Sequence, residues 1–253
     1  VPLVLSGVDL QSGGKKIALY LHFTMADNPS LSAAVRRRYE RLYTGAFYER
    51  FVLGKWTAAD GQIYPMFSEA RHVVDAAPEC DRFVISCDYG TVNPASFGLW
   101  GHCDGIWYRM REYYYDSRKM GQRRTDEEHY AALEQLAGDI AVECVVIDPS
   151  AASMIACIQR HGRFRAIPAN NEVLTGIQLV SDLLQQDKLR FCRCCADIRR
   201  EFQQYCWNDS AAGDAPRKEH DHAMDDMRYL SPRWYAGKET DSFCVLSAAR
   251  TQP

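Results

Sequence analysis

Residues 83–90 read Phe-Val-Ile-Ser-Cys-Asp-Tyr-Gly, and this stretch decides the predicted fold. Its first three residues are apolar and two of them are β-branched, which favours a buried strand. The strand is predicted to end at Asp88, and Gly90 permits a sharp turn behind it. Because ligands bind at the carboxyl ends of strands in α/β sheets, Asp88 is a candidate functional residue. Taken alone, Asp88 is better explained as a residue that caps the turn.

A second stretch repeats this pattern. Residues 143–150 read Glu-Cys-Val-Val-Ile-Asp-Pro-Ser, an apolar and β-branched run that ends at Asp148. Pro149 stops the strand, because proline cannot donate a hydrogen bond to a neighbouring strand. The chain therefore has two acids that follow predicted buried strands.

A third stretch, residues 218–230, has the spacing of an amphipathic helix. Its apolar stripe comprises Ala223, Met224, Met227 and Leu230. The opposite face comprises Asp221, His222, Asp225 and Tyr229. Two strand-end acids and an acid on a polar helix face supply the oxygen ligands that a hard divalent cation needs.

Composition limits the function classes. The chain has 253 residues, of which 47% are hydrophobic and 25% charged, enough for one sizeable domain with an appendage. The net charge of −3 gives no overall attraction for nucleic acid, so such binding would need local basic patches. We find no apolar run of about 18 residues and no signal peptide, and expect no membrane association. Since residue 1 is Val1, we expect the chain to begin inside a larger protein.

The ten cysteines are predicted to be reduced thiols. Most lie inside predicted strands and helices, which is typical of small buried apolar residues. Cys192 and Cys195 form a C-x-x-C, with Cys194 between them. A zinc site there would need a second short-spaced pair, and the sequence offers none. Cys206, His220 and His222 are the nearest alternatives, so we favour buried thiols.

The first quarter of the chain carries no complete phosphate-binding motif. Residues 12–16, Ser-Gly-Gly-Lys-Lys, lack the earlier glycine and the final Ser or Thr of a P-loop, and are better explained as a turn before a strand at 17–23. Asn28 and Pro29 predict the start of a helix that reaches Tyr43. Its arginine-rich side is either a solvated face or a patch facing DNA or a partner.

From residue 83 the predicted elements follow one order. Three antiparallel strands come first, at 83–88, 95–103 and 106–115. Residues 117–125 then form a basic loop, and we expect it to be mobile and to hold a phosphate backbone through Arg118, Lys119, Arg123 and Arg124. Helices and strands alternate after it: helix 126–138, strand 144–148, helix 151–161, strand 164–167, helix 173–186, strand 188–192 and helix 196–205. This order predicts the α/β, RNase H-like fold, a mixed sheet with helices on both faces.

The sequence also resembles a known family, the large subunits of tailed-phage terminases. The resemblance is carried, in the family's order, by residues 23–29, 43–48, 53–56, 60–64, 87–90, 147–151 and 221–225, with Arg228 and Tyr229. Glu201, Tyr205 and Trp207 also stand where the family has Glu, Tyr and Trp. These large subunits join an ATPase domain to an RNase H-like nuclease.

The resemblance implies a division of the chain. Residues 1–57 would be the end of the ATPase domain, 58–74 a linker, 75–232 the nuclease domain and 233–253 a tail. The Walker motifs are absent from the sequence, so we do not expect it to hydrolyse ATP.

The resemblance also implies the site. Asp88, Asp148 and Asp225 correspond to the metal-binding acids, with Asp88 expected to bridge two Mg²⁺ or Mn²⁺ ions. Asp226 stands where a small residue is expected and is kept as a further candidate ligand. His222 would ligate weakly, orient a water or assist the leaving group; alternatively it only hydrogen-bonds Asp225.

The implied function is a metal-dependent endonuclease that cuts concatemeric double-stranded DNA in the host cytoplasm during phage assembly. A portal protein and a small terminase subunit are the implied partners. Two alternatives stay open at this point. One is another RNase H-like enzyme, such as a Holliday-junction resolvase or a transposase. The other is a docking module whose nuclease is latent without the motor domain.

Overall fold

The computed structural model describes residues 9–12, 15–19, 22–42, 52–54, 61–208 and 215–230. The predicted tail at 233–253, the proposed boundary at residue 57 and the resembling residues 43–48 lie outside these ranges. No helix in the described ranges combines the length and the apolar character that a membrane span requires. The chain divides into two compact units, residues 1–61 with 207–215, and residues 62–206 with 216–253.

The described residues of the first unit contain an antiparallel strand pair, β1 (Asp9–Ser12) and β2 (Lys15–Leu19), a 3-10 turn at Met25–Asp27 and the helix α1 (Ala33–Leu42). The strand predicted at 17–23 therefore begins two residues earlier than expected, and His22 and Phe23 are not in a strand. The helix begins at Ala33, after the predicted start at Asn28. The physical reason is local: the side chain of Asn28 accepts a hydrogen bond from the Ser30 amide and closes a turn, whereas Ser32 Oγ accepts from the Val35 amide in the helix's first turn.

The second unit is built on a seven-stranded sheet. A short helix, α2 (Glu69–His72), comes first. The strands are β3 (Val73–Val74), β4 (Arg82–Asp88), β5 (Ala95–Cys103), β6 (Ile106–Tyr115), β7 (Val145–Ile147), β8 (Ala166–Pro168) and β9 (Leu189–Cys192). In space they follow the order β3-β9-β6-β5-β4-β7-β8.

The sheet is mixed. Strands β4, β5 and β6 form the predicted antiparallel meander, whereas β7 pairs with β4 in parallel and β8 pairs with β7 in parallel. On the other side, β9 pairs in parallel with β6 and β3. The predicted mixed sheet, with its first long strand in the interior, is confirmed.

The helices of this unit connect and cover the strands. They are α3 (Ser117–Met120), α4 (Asp126–Ala137), α5 (Ala152–His161), α6 (Val173–Gln185), α7 (Ala196–Gln204) and α8 (His222–Tyr229). The basic segment predicted as a loop thus begins with one helical turn. Its cause is Asp116, whose side chain accepts hydrogen bonds from the amides of Arg118 and Lys119, and the turn ends at Gly121 with a φ of 66°.

The two faces of the sheet are set by the alternation of side chains along each strand. On β4, Ile85 and Cys87 join one apolar core with residues of α4 and α5. Between them, Ser86 points to the opposite face and donates a hydrogen bond to Asp226 of α8. Helices therefore cover both faces, α4 and α5 on one and α8 on the other.

Candidate active site

Two acids lie together at one edge of the sheet because their strands are parallel neighbours. In the register of β4 and β7, Cys87 lies beside Ile147, so Asp88 and Asp148 follow at the same level. Cys87 and Ile147 both belong to the core under α4 and α5. Each acid is one residue further along, and therefore faces α8.

Helix α8 brings the third predicted acid to the same place. Its apolar stripe of Ala223, Met224, Met227 and Leu230 is fully buried, as its spacing predicts. The residues expected on the opposite face, Asp221, His222, Asp225 and Tyr229, line one pocket of about 540 Å³ with Asp88 and Asp148. The three stretches singled out in the sequence thus converge on a single cavity.

The pocket residues contact one another directly. His222 Nδ1 lies 2.9 Å from Asp88 Oδ2, and not on Asp225 as the alternative for this residue supposed. The hydroxyl of Tyr229 lies 3.2 Å from Asp88 Oδ1 and 3.1 Å from Asp148 Oδ2. A phenol carries one proton, so Tyr229 donates to only one of these carboxylates at a time.

Burial and neighbouring charges separate the pKa values of the two strand-end acids. Burial raises the pKa of Asp88 to about 6, helped by the nearby Asp225 and Asp226 and opposed by His222. Burial acts in the same direction on Asp148, but hydrogen bonds from Ser150, Asn171 and Tyr229 hold its pKa below the usual value. Burial lowers the pKa of His222, but the neighbouring carboxylates, first of all Asp88, raise it by more, so the pKa lies above its usual value.

The pocket lining is acidic and oxygen-rich. Six of its side chains are carboxylates, against three that are Lys or Arg. Such a concentration of negative charge raises the free energy of each charged carboxylate unless a cation neutralises it. Clustered carboxylate oxygens are also the ligands that Mg²⁺ and Mn²⁺ prefer, so the residues present fit divalent cations.

Comparisons with known proteins agree with this geometry. Residues 108–231 match the model of the terminase RNase H-like domain family. The chain is 44% identical to the large terminase of a thermophilic bacteriophage, solved in several crystal forms, with a TM-score of 0.72 over 83% of this chain and 55% of that one. Residues 108–231 of this chain belong to the terminase RNase H-like domain family.

Two further relatives extend the comparison. The terminase large subunit of Escherichia phage T5 is 22% identical over 224 residues, which are 83% of this chain and 50% of that protein. The large terminase nuclease of a second thermophilic phage, G20c, was solved with bound magnesium; it has 13% identity and a TM-score of 0.53 over 71% of this chain and 98% of that one. That last likeness is one of fold. The chain spans about half the length of the T5 protein and of the 44% identical large terminase.

In this terminase domain Asp226 is not part of the pocket, which corrects its inclusion among the candidate metal ligands. Its side chain is fully buried and faces the sheet. Arg109 of β6 binds both of its oxygens, and Ser86 and Ser96 donate one further hydrogen bond each. No oxygen of Asp226 is left for a cation. Its neighbour Asp225 lies on the pocket side, where it pairs with Arg228.

Glu201 of α7 is a residue whose role sequence reasoning missed. It stood at a family position but carried no assignment. It is fully buried and accepts hydrogen bonds from the amides of Ala223 at 2.7 Å and Met224 at 3.3 Å, at the start of α8. The residue before α8, Asp221, makes no capping bond with its own side chain. Glu201 takes over this function, and its negative charge lies favourably at the helix N-terminus.

Glu201 is also held from its other side, where the hydroxyl of Tyr114 donates to its second oxygen at 2.7 Å. Burial raises the pKa of Glu201 to about 7. No local sequence signal predicts this role, because the cap comes from a different helix, 22 residues away from Ala223.

The four basic residues predicted to hold DNA have separate environments. Arg118 and Lys119 line the pocket, as does Lys218, which the sequence analysis did not single out. Arg123 is exposed and is not among the residues that line the pocket. The guanidinium of Arg124 lies 4.2 Å from the ring centre of Tyr115 and donates to the Tyr113 hydroxyl, so it stabilises the fold.

Replacement of Asp226, which anchors α8 to the sheet, and of Asp88, which lines the pocket, should have different effects on the stability of the fold. We expect Asp226→Asn to lower the free energy of unfolding by roughly 3–5 kcal/mol, because it breaks the buried ion pair with Arg109 and leaves Glu112 to balance that guanidinium. Asp88→Asn should leave stability unchanged or raise it at pH 7, because the raised pKa of Asp88 means that its charged form destabilises the fold. Urea unfolding in EDTA measures both. Equal midpoints for Asp226→Asn and the parent would contradict the anchoring role of Asp226.

Proposed function

We propose that this chain is the metal-dependent endonuclease part of a phage DNA-packaging terminase, and that it cuts concatemeric double-stranded DNA. The observation that carries this proposal is the convergence of Asp88, Asp148 and Asp225 on one pocket. Two of these acids come from neighbouring strand ends and the third from the helix that crosses them. A basic rim beside the acids supports a polyanionic substrate.

Asp88, Asp148 and Asp225 would hold two divalent cations, Mg²⁺ or Mn²⁺. Metal ions in such sites lower the pKa of a bound water and neutralise charge on the phosphate and the leaving oxygen. The donor set supports this proposal, since it consists of carboxylate oxygens in a pocket that they make strongly acidic. The related nuclease from phage G20c, solved with magnesium, supports it further.

His222 and Tyr229 are proposed to position the acids. The imidazole of His222 lies between two carboxylates, with Nδ1 at 2.9 Å from Asp88 and Nε2 at 3.9 Å from Asp221. These contacts fix its ring orientation and that of Asp88. The hydroxyl of Tyr229 lies within hydrogen-bond distance of both Asp88 and Asp148 and so keeps the two carboxylates close together. Both side chains therefore keep the strand-end carboxylates directed into the pocket.

The basic rim is proposed to bind the DNA backbone. Arg118 and Lys119 are exposed and lie on the helical turn capped by Asp116, while Lys218 precedes α8. Each of them also lines the pocket, so a phosphate bound at the acids would lie within their reach. Since the whole chain carries a net charge of −3, this local arrangement is needed to attract a polyanion.

The remaining proposals concern the longer protein to which this chain would belong. We propose that residues 1–57 are the end of an ATPase domain and that 75–232 form the nuclease, joined by 58–74 and followed by a tail at 233–253. A portal protein, a small terminase subunit and the host cytoplasm are the proposed partners and location. The proposal that this chain is part of a longer protein is supported by the share of its relatives that it covers, 50% of the T5 large subunit and 55% of the 44% identical large terminase.

Cleavage of supercoiled plasmid tests the proposed activity. With Mn²⁺ or Mg²⁺ the parent should nick and linearise the plasmid, and EDTA should abolish both. Asp88→Asn, Asp148→Asn and Asp225→Asn should each lower the rate by roughly 10³-fold or more, because each removes a cation ligand. The matched control is Asp187→Asn, an exposed acid that pairs with Arg71 outside the pocket and should cleave like the parent.

Other outcomes separate the alternatives. Preferential cleavage of four-way junctions over linear duplex would favour a resolvase-type enzyme. Parent-like cleavage by Asp88→Asn would refute the assignment of the site. If the parent binds Mn²⁺ in calorimetry without cleaving, the latent module becomes the better description.

The salt dependence of binding tests the DNA-facing rim. Duplex affinity is measured at several salt concentrations in the Asp88→Asn background, which prevents cleavage. Arg118→Gln and Lys119→Gln should each reduce the slope of log K against log salt by about 1, since each removes one phosphate contact. Arg123→Gln is the matched control from the same segment and should keep the parent slope. Identical slopes in all three variants would contradict the assignment.

A further inference from the structure

Helices α4 and α5 bring together three side chains that the active site does not use. They are Glu127, in the first turn of α4, and Cys157 and His161, which are four residues apart on α5. Residues four apart lie on the same face of a helix. Their ligand atoms all lie within 4.8 Å of one another, and this is the one such group of three His, Cys, Asp or Glu side chains in the described part of the chain.

The three side chains are held towards each other by direct contacts. His161 Nε2 lies 2.7 Å from Glu127 Oε2, and Cys157 Sγ lies 3.7 Å from Glu127 Oε1. The imidazole of His161 stacks on Tyr130, with ring centres 3.9 Å apart and an interplanar angle of 9°. This stacking fixes the plane of the ring and directs its Nε2 edge at the carboxylate.

We propose that Glu127, Cys157 and His161 form a binding site for a zinc-class transition metal ion that joins α4 to α5. A sulfur, an imidazole nitrogen and a carboxylate oxygen are the ligand types of Zn²⁺, whereas Mg²⁺ and Ca²⁺ take oxygen ligands. Bonds of about 2.0–2.3 Å in a tetrahedron place ligand atoms about 3.5 Å apart. Side-chain rotations that move each ligand atom by about 1 Å would bring the present separations, which begin at 2.7 Å and stay within 4.8 Å, to this value.

Burial and exposure also suit such a site. Cys157 lies on the inner side of the group and is buried, with 2% of its surface exposed, so the metal–sulfur bond would be shielded from solvent. The side chains of Glu127 and His161 are 54% and 39% exposed, so the outer side is open. A water molecule would complete four-coordination there.

The cluster already attracts a cationic group. Arg160 donates to Glu127 Oε1 and lies 3.7 Å from Cys157 Sγ through the same nitrogen. Its side chain is 65% exposed, so it can turn into solvent when a metal ion takes its place. An exposed ion pair of this kind contributes little to stability, so its replacement costs little.

This site is separate from the proposed nuclease centre, since none of its three residues lines the acidic pocket. A structural connection between the two nevertheless exists. Asp126, next to Glu127, accepts hydrogen bonds from Tyr89 and from Ser153 of α5. Tyr89 directly follows Asp88, so a metal ion joining α4 to α5 would brace the segment behind the catalytic strand end.

Binding of Co²⁺ alone, as a spectroscopic substitute for Zn²⁺, tests the proposal on the full chain. The parent should show the thiolate-to-cobalt charge-transfer band with one thiolate per chain. Oxygen-ligated Co²⁺ in the acidic pocket gives no such band, so the two sites are distinguished. The band should be lost in Cys157→Ala and in His161→Ala. Cys194→Ser, which changes an exposed cysteine elsewhere, is the matched control and should retain it.

A second measurement uses Zn²⁺ and thermal unfolding. Zn²⁺ should raise the Tm of the parent and of Cys194→Ser, and this rise should be lost in His161→Ala and Glu127→Gln. Both latter residues are partly exposed, so their replacement does not threaten folding. Absence of the thiolate band in the parent would overturn the proposal. So would a band that persists in Cys157→Ala, because the ion would then be bound by other cysteines.

Discussion

The candidate active site depends on one buried ion pair, between Arg109 of β6 and Asp226 of α8. Neither side chain has any exposed surface, and the carboxylate also receives hydrogen bonds from Ser86 of β4 and Ser96 of β5. One residue of α8 is thus bonded to three adjacent strands. Because a buried charge without its partner is very unfavourable, this arrangement allows the helix only one position and rotation on the sheet.

The remaining contacts of α8 follow from that position. Its N-terminus meets Glu201, which caps the Ala223 and Met224 amides, and its apolar stripe fills the space against the sheet. Asp225, next to Asp226, is then turned towards the pocket. Adjacent acids on one helix therefore have different environments, one anchored to the sheet and one facing the pocket, because consecutive helical residues point about 100° apart.

The site itself is a region of unfavourable electrostatics. Six carboxylates line one cavity, and burial raises the pKa of Asp88 to about 6. Such a cavity lowers the stability of the fold unless cations are present, as is common where function and stability conflict. The fold tolerates this cost because apolar packing stabilises both faces of the sheet, in the core covered by α4 and α5 and along the buried stripe of α8.

The sequence by itself determined the order and type of most elements. Apolar β-branched runs, turn residues and the apolar stripe of α8 predicted these elements, and the strands at 95–103 and 106–115 have their predicted bounds. The residues resembling the terminases indicated the same fold. Each of the pattern signals is local, since it depends on a repeat of two or about 3.6 residues. The same local reasoning placed Asp88, Asp148 and Asp225 on elements that converge.

Only the tertiary structure decided that Asp226 fastens the helix. Helical spacing already placed Asp225 on the polar face, but the role of Asp226 comes from Arg109, 117 residues away. The roles of Glu201, Arg124 and the Glu127–Cys157–His161 group were likewise absent from the local pattern. Their partners are brought close by the packing of separate elements, and the energy of a buried charge depends on those partners.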